Sequence, residues 1–231
     1  MCALGYLLTD DGEQGLTADY DAGVKWTRKA AIAGHAYAMN LLAYLYHMGK
    51  GVEKNEKEAI RWWQKAAEQK QVNALEWLAR VYREGMGVPR DYGKTMKYYM
   101  EAAELGSAFS MNEVGYLYDA GLGVSVDYKK AMSWYIKAAA MNHAMGTSNV
   151  GMLHAYGKGR PRDVKEAMVW WEKAVKLGAA PAMVALAKEY ESGEHVAKDE
   201  AHAIELMRRA AAQGYEPAIQ WLKQRELVPS T

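Results

Sequence analysis

The sequence predicts an all-α solenoid of antiparallel helix hairpins with a 36-residue repeat. Three observations carry that prediction. Gly34, Gly106, Gly178 and Gly214 stand on one 36-residue ladder, and Trp26, Trp62, Tyr98, Trp134 and Trp170 stand on another. Each period holds two apolar stripes at helical spacing. A Gly-x-Gly step separates the stripes, and glycine readily takes the φ > 0 backbone of a helix end. Self-similarity at a period of roughly 20–50 residues marks stacked repeats, and the chain holds about six and a half units.

The expected units form one array: 1–34 as a truncated first repeat, then 35–70, 71–106, 107–142, 143–178 and 179–214, with 215–231 as a C-terminal capping helix. Met1 falls in the column of Met39, Met111 and Met183, and Leu4-Gly5 matches Leu42-Ala43 if the first loop carries two extra residues. The chain is therefore expected to open partway through a helix, as a fragment of a longer solenoid or after loss of a preceding segment.

Residues 35–70 show the grammar of one unit. From His35 to Met48, the residues Ala38, Met39, Leu42, Ala43, Leu45 and Tyr46 make an apolar stripe. Gly49-Lys50-Gly51-Val52 ends that helix. Asn55 is then the expected N-cap, with Glu58 three residues on as in a capping box. A second helix follows to about Gln69, its stripe being Ala59, Ile60, Trp62, Trp63, Ala66 and Ala67. The loop recurs at Gly85-Met86-Gly87-Val88, Gly121-Leu122-Gly123-Val124 and Gly157-Lys158-Gly159, and in degraded form at Gly193-Glu194-His195-Val196. Alanine pairs such as Ala66-Ala67 and Ala138-Ala139 let helix backbones approach closely, while the aromatic one turn earlier fills the space between hairpins. In the last segment, Tyr215–Arg225 reads as one more first helix. Lys223 there occupies the column that is small at Ala43, Ala79, Gly115, Gly151 and Ala187, as suits a polar-faced terminal cap.

Bulk composition narrows the function classes. Lys+Arg number 29 against 28 Asp+Glu, so there is no basic excess of the kind that nucleic-acid binding needs. No apolar run approaches the ~18 residues of a membrane-spanning helix. Cys2 is the single cysteine, which excludes an internal disulfide. The chain is compatible with a cytoplasmic or a periplasmic location.

The repeat resembles the Sel-one-like repeat (SLR) family, relatives of the tetratricopeptide solenoids. Val114-Gly115, Tyr118, Gly121, Gly123-Val124, Asp127, Lys130-Ala131, Trp134-Tyr135 and Lys137-Ala138-Ala139 match the family motif almost column for column. The likeness covers essentially the whole chain. It implies a right-handed superhelix whose first helices line a concave groove, and a non-enzymatic protein-interaction scaffold, commonly bacterial.

No catalytic or metal-binding constellation emerges. The paired glycines lack the G-x-x-x-x-G-K-[ST] spacing and follow no strand. None of the six histidines forms an H-E-x-x-H pair. His154 stands in the column of Tyr46, Tyr82, Tyr118 and Tyr190 and reads as a packing residue. Asp10-Asp11-Gly12-Glu13 lacks the alternating ligands of a calcium loop. The expectation is no cofactor and no metal.

Function must then lie in the columns that do not recur. The resemblance places the binding face on Tyr6, Tyr37, Asn40, Tyr44, His47, Asn73, Glu76, Arg80, Arg83, Phe109, Asn112, Tyr116, Asp119, Ser148 and Met152. This set is rich in aromatic and Arg side chains, the usual anchors of protein interfaces. Arg80 and Arg83, beside Asn40 and Asn112, suit a carboxylate or an acidic segment. The expected partner is a protein or peptide. A second reading from the resemblance is a bacterial immunity protein that neutralises a cognate secreted toxin, commonly a lipase-type effector.

Overall fold

A computed structural model describes residues 20–227. Among them are helices and no strand. The helices are α1 (Tyr20–Ile32), α2 (Ala36–Met48), α3 (Glu56–Glu68), α4 (Val72–Glu84), α5 (Tyr92–Glu104), α6 (Ala108–Ala120), α7 (Tyr128–Ala140), α8 (Ala144–Tyr156), α9 (Val164–Lys176), α10 (Ala180–Ser192), α11 (Glu200–Ala212) and α12 (Glu216–Gln224). They fall into two compact units divided between Ser110 and Met111, in the first turn of α6. Within the first unit α1 to α5 pack in consecutive pairs, and within the second α7 to α12 do the same. Tyr6 and the half-helix expected at the start lie outside the described residues.

The loop inside each hairpin is fixed by backbone chemistry. Gly49 ends α2 in the left-handed region, φ 69° and ψ 31°, its N–H donating to the Leu45 carbonyl. Two residues on, a Cβ on Gly51 would lie 2.7 Å from the Tyr20 carbonyl oxygen, so this site needs glycine for space as well as for its φ of 66°. Asn55 caps α3 as expected, accepting from the Glu58 N–H at 3.1 Å. The reciprocal half of the capping box does not form. The Asn55 N–H instead donates to the Tyr46 carbonyl at 2.9 Å, and the Glu58 carboxylate pairs with Arg61 at 3.4 Å. Asp91, Asp127, Asp163 and Asp199 repeat both bonds, their N–H groups donating to Tyr82, Tyr118, His154 and Tyr190. With the N-cap donor already satisfied, a glutamate three residues later has no orphan to serve.

Within each unit the core sits between the paired helices and between successive hairpins. Leu42, Leu78, Val114, Val150, Leu186 and Leu222 are buried, and so are Ala30, Ala66, Ala102, Ala138, Ala174 and Ala210. The aromatic pair of the second helices divides its labour. Trp63, Tyr99, Tyr135 and Trp171 are the deep members. Trp62, Tyr98, Trp134 and Trp170, the ladder seen in the sequence, are only half-buried. Lysine ammonium groups lie over all four rings: Lys65 at 4.4 Å from the Trp62 centroid, Lys97 at 5.7 Å from Tyr98, Lys137 at 3.8 Å from Trp134 and Lys173 at 4.4 Å from Trp170. The small column beside the deep aromatics is required by contact: a Cβ on Gly115 would meet the Tyr135 ring at 2.7 Å.

The last described helix, α12, packs on α11. Lys223 is exposed on α12. The indole N–H of Trp221 donates to Glu191 at 3.2 Å, and Arg225 forms an ion pair with the same carboxylate while covering the Trp221 ring at 3.9 Å.

Candidate protein-binding site

The first unit builds its site on α4. Gln71 starts that helix by accepting from the Ala74 N–H at 2.6 Å. The stripe Ala74, Leu75, Leu78, Val81 and Tyr82 is then buried. The complementary positions 73, 76, 77, 80 and 83 therefore share the outward face. With Tyr99 of α5 as floor and Phe109 of α6 as wall, Asn73, Glu76, Trp77, Arg80 and Arg83 line a cavity of about 380 Å³. Five of its lining residues are ones the sequence placed on the binding face.

Neighbouring helices hold these side chains in place. Trp77 stacks on Trp63 of α3, centroids 5.1 Å apart and planes 7° off parallel. Tyr44 and His47 of α2 lean against it at 5.9 and 5.3 Å. His47 is itself tethered, its Nδ1 2.9 Å from Glu56 Oε2. The Arg80 guanidinium lies 5.3 Å from the Trp77 centroid, while its Nε donates to Glu84 at 2.9 Å. Arg83 reaches the same carboxylate at 3.4 Å. Burial raises the Glu84 pKa, but the hydrogen bonds and charges of Arg80 and Arg83 outweigh it and leave the group below the usual carboxylate range. Glu76 accepts from Ser107 Oγ at 2.5 Å and Ser110 Oγ at 3.1 Å. Phe109 meets Tyr99 edge-on at 6.1 Å. The carboxylate grip expected of Arg80 and Arg83 is thus met from within by Glu84. Two cations and two anions, Arg80 and Arg83 with Glu76 and Glu84, give a site of balanced charge with aromatic sides.

The other expected residues are placed differently. Tyr37 is exposed on α2. Asn40 is half-buried, its Oδ1 enclosed and without a hydrogen-bond partner. In the second unit Tyr116 is exposed and Met152 lines a separate trough. Asp119 is held by Lys158 at 2.8 Å. Asn112 and Ser148 are not on the surface, at 6% and 1% exposure. Asn112 is turned inward to accept from Asn149 at 2.9 Å and donate to Glu113 at 3.1 Å. The period places a residue on a helix face, but how deep that face lies depends on the neighbouring helix.

The comparisons with known proteins now bear on this geometry. A model described as the Sel1 repeat matches residues 1–35, 36–70, 72–107, 108–143, 144–178 and 180–215. The chain belongs to the Sel1 repeat family. Proteins of this family generally serve as protein-interaction scaffolds, and the fold is generally a non-enzymatic one. Among solved Sel1 structures, the chain is similar to a Sel1 repeat protein from Oxalobacter formigenes, at 29% identity and a TM-score of 0.86, covering 96% of this chain and 88% of that one. It is also similar to a protective antigen of uropathogenic Escherichia coli strains with an SLR fold, at 31% identity and a TM-score of 0.82. That match covers 96% of this chain and 47% of the antigen, so the chain spans about half the antigen's length. An immunity protein from Pseudomonas aeruginosa shares the fold at 20% identity and a TM-score of 0.54, covering 94% of this chain and 80% of that one. A search of curated proteins found no match. Among the described residues no helix is long and apolar enough to cross a membrane.

Two residues of the candidate site escaped the sequence reading. Trp77 belongs to the column of Leu41, Glu113, Asn149 and Ala185. That column varies as freely as the ones chosen, and its tryptophan was the available signal. Tyr99 recurs with Trp63, Tyr135 and Trp171, so its column reads only as core. It is both core and the floor of the cavity.

Proposed function

We propose that this Sel1 repeat protein is a non-enzymatic scaffold that captures a segment of a protein partner on the outward face of its first helices. The anchor point is the cavity on α4. The observation that carries this reading is that five side chains from non-recurring columns, Asn73, Glu76, Arg80, Arg83 and Phe109, converge on one cavity with Trp77 and Tyr99. Arg and large aromatics in a pocket are where interface energy concentrates. Here they are held before any partner arrives, Arg80 between Trp77 and Glu84, and Trp77 between Trp63 and Tyr44, which lowers the ordering cost of binding. Balanced charge and aromatic sides suit a neutral planar anchor such as a tyrosine or tryptophan side chain.

Affinity capture with the wild type and with a Tyr44→Ala/Arg80→Ala double variant tests the reading. Two interface anchors at about 2 kcal/mol each predict a loss of at least ~100-fold in affinity for the captured partner. A folded double variant that keeps full affinity refutes it. The finer reading, an immunity protein for a cognate secreted toxin, draws on the fold shared with the Pseudomonas aeruginosa immunity protein. It requires a tight one-to-one complex that abolishes a toxin's activity, and an inhibition assay separates it from a general adaptor.

A further inference from the structure

The second unit carries a trough of about 490 Å³ formed by α8, α9 and the loop before it, α10 and the start of α12. Trp171, 3% exposed, lies at its floor with Val184. Met152, Ala155, Pro181 and Pro217 make its walls. The two prolines are one repeat apart, each in the first turn of its helix, where the missing N–H leaves nothing unsatisfied. They stand in the column that holds Tyr37, Asn73, Phe109 and Met145 elsewhere, and they line the wall with apolar surface that offers no backbone donor.

The rim is charged, and the charges do not cancel. Glu189 is already engaged, its carboxylate 2.7 Å from His195 Nδ1. Lys188 is exposed and has no carboxylate partner among the described residues. Arg162 donates through Nε to the Ala155 carbonyl at 3.1 Å, leaving the rest of its guanidinium to the rim. An apolar floor beneath two cations and one carboxylate, a surplus of one positive charge, differs from the α4 cavity, where Glu76 and Glu84 match Arg80 and Arg83. Such a field favours an anionic partner, and the low-dielectric walls strengthen it.

We propose that this trough docks an extended acidic–apolar segment of a partner protein, with apolar side chains on Trp171 and Val184 and carboxylates on Lys188 and Arg162. Side chains of an extended strand alternate faces, so a peptide alternating apolar and acidic residues meets both requirements at once. First helices of successive repeats lie roughly 10 Å apart. Three of them span about 20 Å, the length of about six extended residues.

The test uses the full chain and a fluorescein-labelled hexapeptide alternating leucine and aspartate, read by fluorescence anisotropy at low salt. It is expected to bind at least ~10-fold more tightly than the leucine–asparagine peptide, and to weaken as salt is added. Lys188→Glu combined with Arg162→Glu is expected to lose that preference and to favour a leucine–lysine peptide. If the reversal lowers the melting temperature, Lys188→Gln, which leaves the helix neutral at an exposed position, is expected to weaken the aspartate peptide by ~3-fold or more. The Tyr44→Ala/Arg80→Ala variant is expected to bind the peptide as the wild type does, so failure here is distinguishable from failure of the scaffold reading at α4. Equal affinity for the aspartate and asparagine peptides overturns the proposal. So does full retention of the acidic peptide by the charge-reversed chain, or its displacement by a single-stranded DNA hexamer.

Discussion

Gly151→Ala in α8 sets two effects of opposite sign against each other. The added methyl would lie 2.5 Å from Trp171 Nε1, 2.6 Å from Trp171 Cδ1 and 3.1 Å from the Ala167 carbonyl oxygen. Carbon atoms in contact sit about 3.5–4.0 Å apart, so the indole must withdraw by about 1 Å from a place where it is almost fully enclosed. Overpacking of this kind costs about 1–3 kcal/mol. Replacing glycine by alanine inside a helix stabilises by about 1 kcal/mol. The steric effect wins, and the expected net loss is about 1–2 kcal/mol. The array supplies the rescue. Ala187 occupies the same column, and Met207 stands in the column of Trp171. In a Trp171→Met background Gly151→Ala is therefore expected to cost less, with a coupling of about 1 kcal/mol. Urea unfolding at 25 °C, followed by far-UV circular dichroism on the wild type, both single variants and the double, gives all four corners of the cycle. The reasoning is falsified if Gly151→Ala equals or exceeds the wild type in stability, or if the coupling vanishes.

Two further predictions concern single residues. Lys70 holds φ 60° on the ladder where Gly34, Gly106, Gly178 and Gly214 take the same left-handed backbone with nothing within 4 Å of a would-be Cβ. Strain alone opposes a side chain there, at about 1–2 kcal/mol, against roughly 0.5–1 kcal/mol of extra unfolded-state entropy for glycine. Lys70→Gly should raise the denaturation midpoint by an equivalent of about 0.5–1 kcal/mol, and Asn142→Gly by less, because asparagine tolerates this region. His154 is 4% exposed, with Nε2 2.9 Å from Arg160 Nη1 and Nδ1 without a partner. Burial first, then the Arg160 charge, hold its pKa below the usual imidazole value against the opposing pull of Glu166 and Asp163. The folded chain stays neutral there while the unfolded chain takes up a proton near pH 6.5. Stability is therefore expected to be full above about pH 6.5 and to fall as the pH drops toward the folded value. His143, also lowered by burial, acts in the same direction. His154→Tyr, the residue this column carries in the other hairpins, should flatten part of that dependence in melting curves taken between pH 5 and 7.

The sequence alone carried the hairpin order, the glycine loops, the Asn55 and Asp caps and the terminal helix, because each follows from local spacing and backbone chemistry. It misjudged depth. Trp62 and Trp63 are neighbours with equal hydrophobic weight, yet only Trp63 is fully buried. The distinction arises from Trp77 of the next hairpin stacking on Trp63 while only Lys65 lies over the Trp62 ring. Asn112 and Ser148 failed as surface residues for the same reason. Arg80 and Arg83 were legible as residents of the site but not as partners of Glu84, because a helix face fixes position and leaves the choice of ion pair to rotamers. The trough at Trp171 was legible only in pieces, since Arg162 comes from a loop and Pro217 from α12.

The backbone closure at each N-cap has a consequence for how such a chain can change length. Asn55 and Asp91, Asp127, Asp163 and Asp199 tie the residue nine positions back to the start of the next helix through a backbone hydrogen bond, while their side chains cap that helix by accepting from the N–H three residues on. An insertion of one or two residues in the glycine loop would break that backbone closure and leave the cap. Removal of a whole 36-residue module leaves every such closure intact, because each is contained within its own module. Growth and shrinkage by entire modules are therefore the permitted moves in an inheritance of duplications and deletions, and the ligand-reading surface changes by whole words rather than by single letters.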